Sequence, residues 1–138
     1  CEIIIDCGVD PSKIVFAHMD VQTELSVLET LTKQGFNVEY DSWGIEDTEL
    51  IDSQDDALQL PNDNQRLHHL RSLINNGYIN NLIITQDMFL GLQLQSSGGK
   101  GYSHIIDNII PRMKHLDFTQ KEINNILVLN PQRILTFK

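Results

Sequence analysis

Four side chains able to hold a metal ion or move a proton stand just past short apolar runs. His18 and Asp20 follow IVFA (14–17), Asp41 closes NVEYD (37–41), and Asp87 follows NLIIT (81–85). Runs of that length, bounded by turn residues, predict strands buried in a parallel sheet, where ligands gather at the C-terminal strand ends. An imidazole nitrogen with carboxylate oxygens is a donor set for zinc or manganese, and such ions activate water. Each residue also has a plainer use. A strand-end histidine can be a hydrogen-bonded structural residue, and an aspartate after a strand can be a turn former or helix cap. Their shared rim is what favours a site. Tyr40 and Asp41 are read as substrate-binding, with Trp43 beside them, although an aromatic at a strand end can equally belong to the core.

Other chemistry-bearing residues fit less well. H-x-H, H-E-x-x-H and C-x-x-C do not occur. His68 and His69 are adjacent on a predicted helix, so they face different directions and cannot chelate together. Residues 96–103 (SSGGKGYS) are glycine-rich and open a helix, where N–H groups can hold an anion. Their spacing matches neither a P-loop nor a dinucleotide fingerprint, and a tight crossing or lid is the plainer reading. His104 and His115, on the following helix, are not expected to join the rim.

The elements that must position these residues alternate in type. Residues 1–6 read as the last turns of a helix with Gly8 as its C-cap, and VDPS is a turn. Leu25, Leu28 and Leu31 recur at helical spacing between Thr23, a candidate N-cap, and Gly35. Residues 42–63, with Asp47, Asp52, Asp55 and Asp56, show no period. A helix is expected from about Gln65 to Asn76, ended by Gly77, and another from Ser103 to about Lys114, which Pro111 should end or kink. The T-x-x-E spacing of Thr119 and Glu122 predicts a capping box before a final short helix. Strand, helix, strand, repeated, is an all-parallel α/β pattern. Three strands are few for a whole fold, so the chain reads as the last three βα units of a (β/α)8 TIM barrel, with a small doubly wound sheet as the competitor.

The 138 residues suit one domain, and 41% hydrophobic with 21% charged residues excludes a disordered or collagen-like chain. Ten basic against nineteen acidic side chains give −9, which disfavours nucleic acid and leans towards cations. No apolar run is long enough to span a bilayer. Cys1 and Cys7 form no metal clip, and reduced thiols in a cytoplasmic protein are the default. The opening CEIII starts inside an apolar pattern, as a cut through an element would, so the N-terminal part of the domain is expected to be missing.

The segments FAHMD (16–20), VEYD (38–41), PNDNQR (61–66), GGKGYSHI (98–105), IIPRM (109–113) and NPQRILTFK (130–138) occur in order along the chain. Together they resemble the C-terminal third of the phosphotriesterase-related, or parathion hydrolase-related, proteins of the amidohydrolase superfamily. The resemblance implies a TIM barrel of the metal-dependent hydrolase type with a divalent metal pair, usually two zinc ions per full-length subunit. It places His18 as a ligand of one metal, and Asp87 as a ligand of the other and the catalytic acceptor of a proton from the attacking water. It implies further ligands on earlier strands, upstream of Cys1. It also implies a small-molecule substrate. Because the second strand ends in YDSW, without the histidines that true phosphotriesterases carry there, the inherited expectation is amide hydrolysis of N-acetyltaurine and related N-acyl amino acids. The rival reading is a noncatalytic α/β module that binds a partner through open strand edges.

Overall fold

The computed structural model describes residues 2–21, 24–45 and 61–136. Three short strands, β1 (Val15–Phe16), β2 (Asn37–Tyr40) and β3 (Leu82–Ile84), lie parallel in the order β1-β2-β3. Val15 pairs with Asn37 and Phe16 with Val38; Val38, Glu39 and Tyr40 pair with Leu82, Ile83 and Ile84. Parallel strands need crossovers, and helices supply them. Helix α1 (Glu2–Asp6) precedes β1, with Gly8 at φ +73° just past its end. Helix α2 (Leu25–Lys33) joins β1 to β2, and α3 (Asp63–Asn75) precedes β3.

Alternation along a strand sends successive side chains to opposite faces. Val38 and Tyr40 of β2, with Leu82 and Ile84 of β3, belong to one core with Leu28 and Leu31 of α2 and Leu67, Leu70 and Leu73 of α3. Glu39 points the other way, where its carboxylate accepts a hydrogen bond from the Thr85 hydroxyl at 2.6 Å. The described helices therefore pack on a single face of the sheet. A doubly wound sheet has helices on both faces, whereas one-sided cover is the layering of a barrel wall.

Helix boundaries follow local chemistry. Asn62 Oδ1 accepts from the Gln65 N–H at 3.0 Å, and Gln65 Oε1 accepts from the Asn62 N–H at 2.8 Å. This capping box starts α3 at Asp63, two residues before the apolar periodicity announces it. In α2 the N-cap is Glu24, without a side-chain cap bond. Thr23 lies outside the described residues, as do Asp47, Asp52, Asp55 and Asp56.

Two prolines stand within continuous helical runs. Pro111, expected to end or kink its helix, does not end it. A wide π-turn over Ile105–Ile109, closed by Ile110 N–H donating to Ile105 O, leads directly into α4 (Ile110–His115). The last helix repeats the device. Helix α5 (Gln120–Asn124), capped by Thr119 and Glu122, passes through a π-turn at Asn125–Leu129 into α6 (Asn130–Leu135), which holds Pro131. The expected short final helix is thus one continuous run. Proline lacks an N–H, and the register shift of a π-turn removes the need for the ordinary bond at that point.

The C-terminal motif closes the end of the sheet away from the candidate site. Asn130 Nδ2 donates to Ile79 O and Leu82 O, both at 2.8 Å, and Arg133 Nη2 donates to Asn37 Oδ1 at 2.9 Å and Asn80 O at 2.8 Å. Lys13 Nζ donates to Arg133 O at 2.8 Å, a cation at a helix C-terminus.

Candidate active site

The C-terminal strand ends bring His18, Asp41 and Asp87 to one rim. His18 follows β1 on a left-handed backbone, φ +56°, which is uncommon outside glycine and clusters at functional sites. Asp41 holds it there. Asp41 Oδ2 lies 2.9 Å from His18 Nδ1 and accepts from the His18 N–H at 3.3 Å. Past β3 the ladder continues: Thr85 N–H donates to Tyr40 O and Asp87 N–H to Asp41 O, each at 3.0 Å. Asp87 is therefore pinned beside Asp41, one strand further on than His18.

The electrostatics agree with this grouping. The hydrogen bond to Asp41, and then the charge of Asp41, hold the His18 ring above its ordinary pKa, with Asp87 and Asp20 adding to the rise against some desolvation. Burial raises the Asp41 carboxyl, and the contacts with His18 draw it back down. With Nδ1 committed to a carboxylate, Nε2 is the nitrogen available to a ligand, on a side chain 61% exposed. Metal-ligating histidines are oriented in this manner. Among the described residues no three histidine, cysteine or acidic side chains converge on one point.

Tyr40 does not line the rim. It is wholly buried among the core side chains, its ring 6.3 Å from that of Trp43, and burial pushes its phenol pKa upward. Trp43 is also core, its Nε1 donating to Tyr40 O at 2.9 Å. Alternation explains the correction: Val38 and Tyr40 share the helix-facing side of β2. Asp41, read with Tyr40 as substrate-binding, sits buried behind His18 as its hydrogen-bond partner.

Asp20 departs from the expected rim as well. It is fully buried, accepting from the Ser42 N–H at 2.7 Å and the Ser42 hydroxyl at 3.1 Å, with Arg66 Nε 3.0 Å away. Arg66 Nη1 reaches Asp63 Oδ1 at 3.2 Å and donates to Ile45 O at 3.2 Å, while His104 Nε2 lies 2.9 Å from Asp63 Oδ2. Burial pushes the Asp63 carboxyl up, but hydrogen bonds from His104 and the Gly44 N–H, with the charges of His104 and Arg66, hold it below its usual range. Sequence reasoning missed this cluster. Its one local signal is the i, i+3 spacing of Asp63 and Arg66 inside PNDNQR. His68 is exposed and His69 half-buried on α3, in keeping with surface and packing roles.

The glycine-rich segment is a tight crossing. A Cβ on Gly99 would lie 2.3 Å from the carbonyl carbon and oxygen of Gln93. Gln93 in turn organises the loop after Asp87: its Oε1 accepts from the Phe89 and Leu90 N–H groups at 3.0 and 2.7 Å, and its Nε2 donates to Asp87 O at 3.1 Å.

Residues 1–135 match the phosphotriesterase family. The chain belongs to that family.

Among phosphotriesterase-family relatives, an N-acetyltaurine hydrolase of Dictyostelium discoideum is 38% identical over 98% of this chain, and one of Xenopus tropicalis is 39% identical over 99%. The chain spans 36% and 39% of those two proteins. A resiniferatoxin-binding protein from Rhodobacter sphaeroides superposes with a TM-score of 0.87 at 23% identity, covering 96% of this chain and 36% of that one. The phosphotriesterase homology protein of Escherichia coli, solved with phosphate in its active site, gives 0.82 at 22% identity, covering 98% and 42%. The three parallel strands and their helices are thus βα units of a (β/α)8 barrel. Among the described residues no helix is long and apolar enough to cross a membrane.

Proposed function

We propose that these βα units belong to a metal-dependent hydrolase, and that its substrate is a small N-acyl amino acid or a related amide such as N-acetyltaurine. The observation that carries the metal reading is the His18–Asp41 contact, which fixes the ring and offers Nε2 to a cation. Relatives at 38% and 39% identity that bear the name N-acetyltaurine hydrolase support the substrate class. In this reading His18 and Asp87 each bind one of two divalent ions, zinc by the chemistry of nitrogen and oxygen donors. The remaining ligands come from other strands of the barrel. When bound, the ions acidify a water molecule and polarise the scissile carbonyl. Asp87 accepts the proton of the attacking water on its carboxylate, and Asp41 keeps the imidazole aimed. The net charge of −9 favours cation uptake and argues against nucleic acid as a partner. With an exposed free thiol at Cys7, the protein is read as cytoplasmic.

His18→Ala and Asp87→Asn in the full-length protein should each lower bound zinc and abolish most N-acetyltaurine hydrolysis, read by elemental analysis and taurine release. Retention of both metal content and turnover in either variant would overturn the assignment of that residue.

A further inference from the structure

Arg66 has no part in that reading. Its side chain is wholly buried on α3, a helix that supplies nothing to the proposed metal site. A buried guanidinium is costly unless paired, and this one is ion-paired with Asp20, Nε lying 3.0 Å from Oδ2, and donates to Asp63 through Nη1. Asp20 grips residue 42 twice, by its N–H at 2.7 Å and its hydroxyl at 3.1 Å. The same Ser42 hydroxyl lies 3.3 Å from Asp41 Oδ1, and Asp41 Oδ2 holds the His18 ring. A continuous path of ion pairs and hydrogen bonds therefore runs from the helix layer to the rim, and every member except His18 is buried.

We infer that Arg66 is a positioning residue: acting through Asp20 and Ser42, it fixes the Asp41 carboxylate and with it the rotation of the His18 imidazole. The inference rests on the reading of His18 as a metal ligand. Its physical basis is that Ser42 carries one hydroxyl hydrogen and has two carboxylates within reach. Arg66 Nε and the Ser42 N–H both meet Asp20 Oδ2, while the Ser42 hydroxyl meets Oδ1. That anchors the main chain at residue 42, one peptide from Asp41, and keeps the serine oxygen against both acids. Released from Arg66, Asp20 would be a buried carboxylate without a counter-charge, held by Ser42 alone, and any rotation of it would draw the hydroxyl with it. An exposed ring held by one carboxylate would feel that rotation directly.

The test measures zinc affinity, by competition with a chelator, alongside melting temperature in the full-length protein. Removing an outer-sphere partner of a metal ligand typically costs roughly 10–100-fold in affinity. Asp41→Asn is expected to show a loss in that range. Ser42→Ala and Arg66→Lys should lose about tenfold, the lower end of it, while remaining folded. Ser42→Thr keeps the hydroxyl and should restore wild-type affinity. A merely structural role predicts a lower melting temperature with zinc affinity of the folded protein unchanged. That result for Ser42→Ala, with Asp41→Asn impaired, overturns the inference and leaves the metal site standing. Should Arg66→Lys fail to fold, the two Ser42 variants decide alone. If His18→Ala binds zinc as tightly as wild type, the metal reading itself falls, and this inference with it.

Discussion

At the scale of single residues, the rim is an exposed imidazole on a left-handed backbone, a conformation that costs a non-glycine residue about 1 kcal/mol or more. Asp41 offsets that cost by accepting from both the ring and the main-chain N–H of His18. Tyr40 shows the opposite economy. Its hydroxyl is buried with no hydrogen-bond partner among the described residues, and an unsatisfied buried hydroxyl costs on the order of 1–3 kcal/mol. Tyr40→Phe should therefore leave stability unchanged or raise it by about 1 kcal/mol in chemical denaturation. Turnover of the full-length protein should not change. A large loss of substrate affinity would restore the pocket-lining role that its buried position argues against.

At the scale of elements, the last helix ties the barrel wall together. Asn130 is buried and spans Ile79 O and Leu82 O at the start of β3. Asn130→Ala leaves both carbonyls without that donor and should cost about 1–3 kcal/mol in urea unfolding, with little effect on metal affinity because the proposed metal site lies at the other end of the strands. The helix start titrates. Burial raises the Glu122 carboxyl, but hydrogen bonds from the Thr119 N–H and hydroxyl, and from Arg71, bring it below its usual value of 4.5. A depressed folded-state pKa means the contribution is fully present above about 4.5 and is lost as pH falls through the lower folded value. Stability of the Glu122→Gln variant should accordingly fall less than wild type as pH drops through that window. Parallel curves would rule out the linkage. The two π-turns ahead of Pro111 and Pro131 keep these helices continuous where proline would otherwise break them.

At the scale of the molecule, one-sided helix cover leaves Glu39 and Thr85 on the face that a closed barrel would enclose, and leaves β1 and β3 as outer strands of the described sheet. Outer strands present unpaired N–H and C=O groups that recruit other chains. The 138 residues produced alone should hydrolyse no N-acyl amino acid and should elute from size exclusion as aggregates. A well-folded, active monomer would contradict the reading of these units as part of a larger closed sheet. A folded, metal-free monomer would favour the partner-binding module instead.

Apolar runs, glycine stops and capping spacings sufficed to locate the three strands and most helices of the described residues, because those signals act between near neighbours in the chain. Parallel strands share a direction, so the same reasoning placed His18, Asp20, Asp41 and Asp87 on one rim, of which the fold turns Asp20 inward to Ser42 and Arg66. The ordered motifs sufficed for the family. Which side of β2 Tyr40 occupies, which of Asp20 and Asp41 holds the histidine, and why Arg66 is buried were decided only by tertiary structure. Those roles depend on partners far apart in sequence and on which face the helices cover, and a local pattern of residue types carries no record of either. The passage of helices through Pro111 and Pro131 also depended on the folded backbone, since a π-turn has no compositional signature of its own.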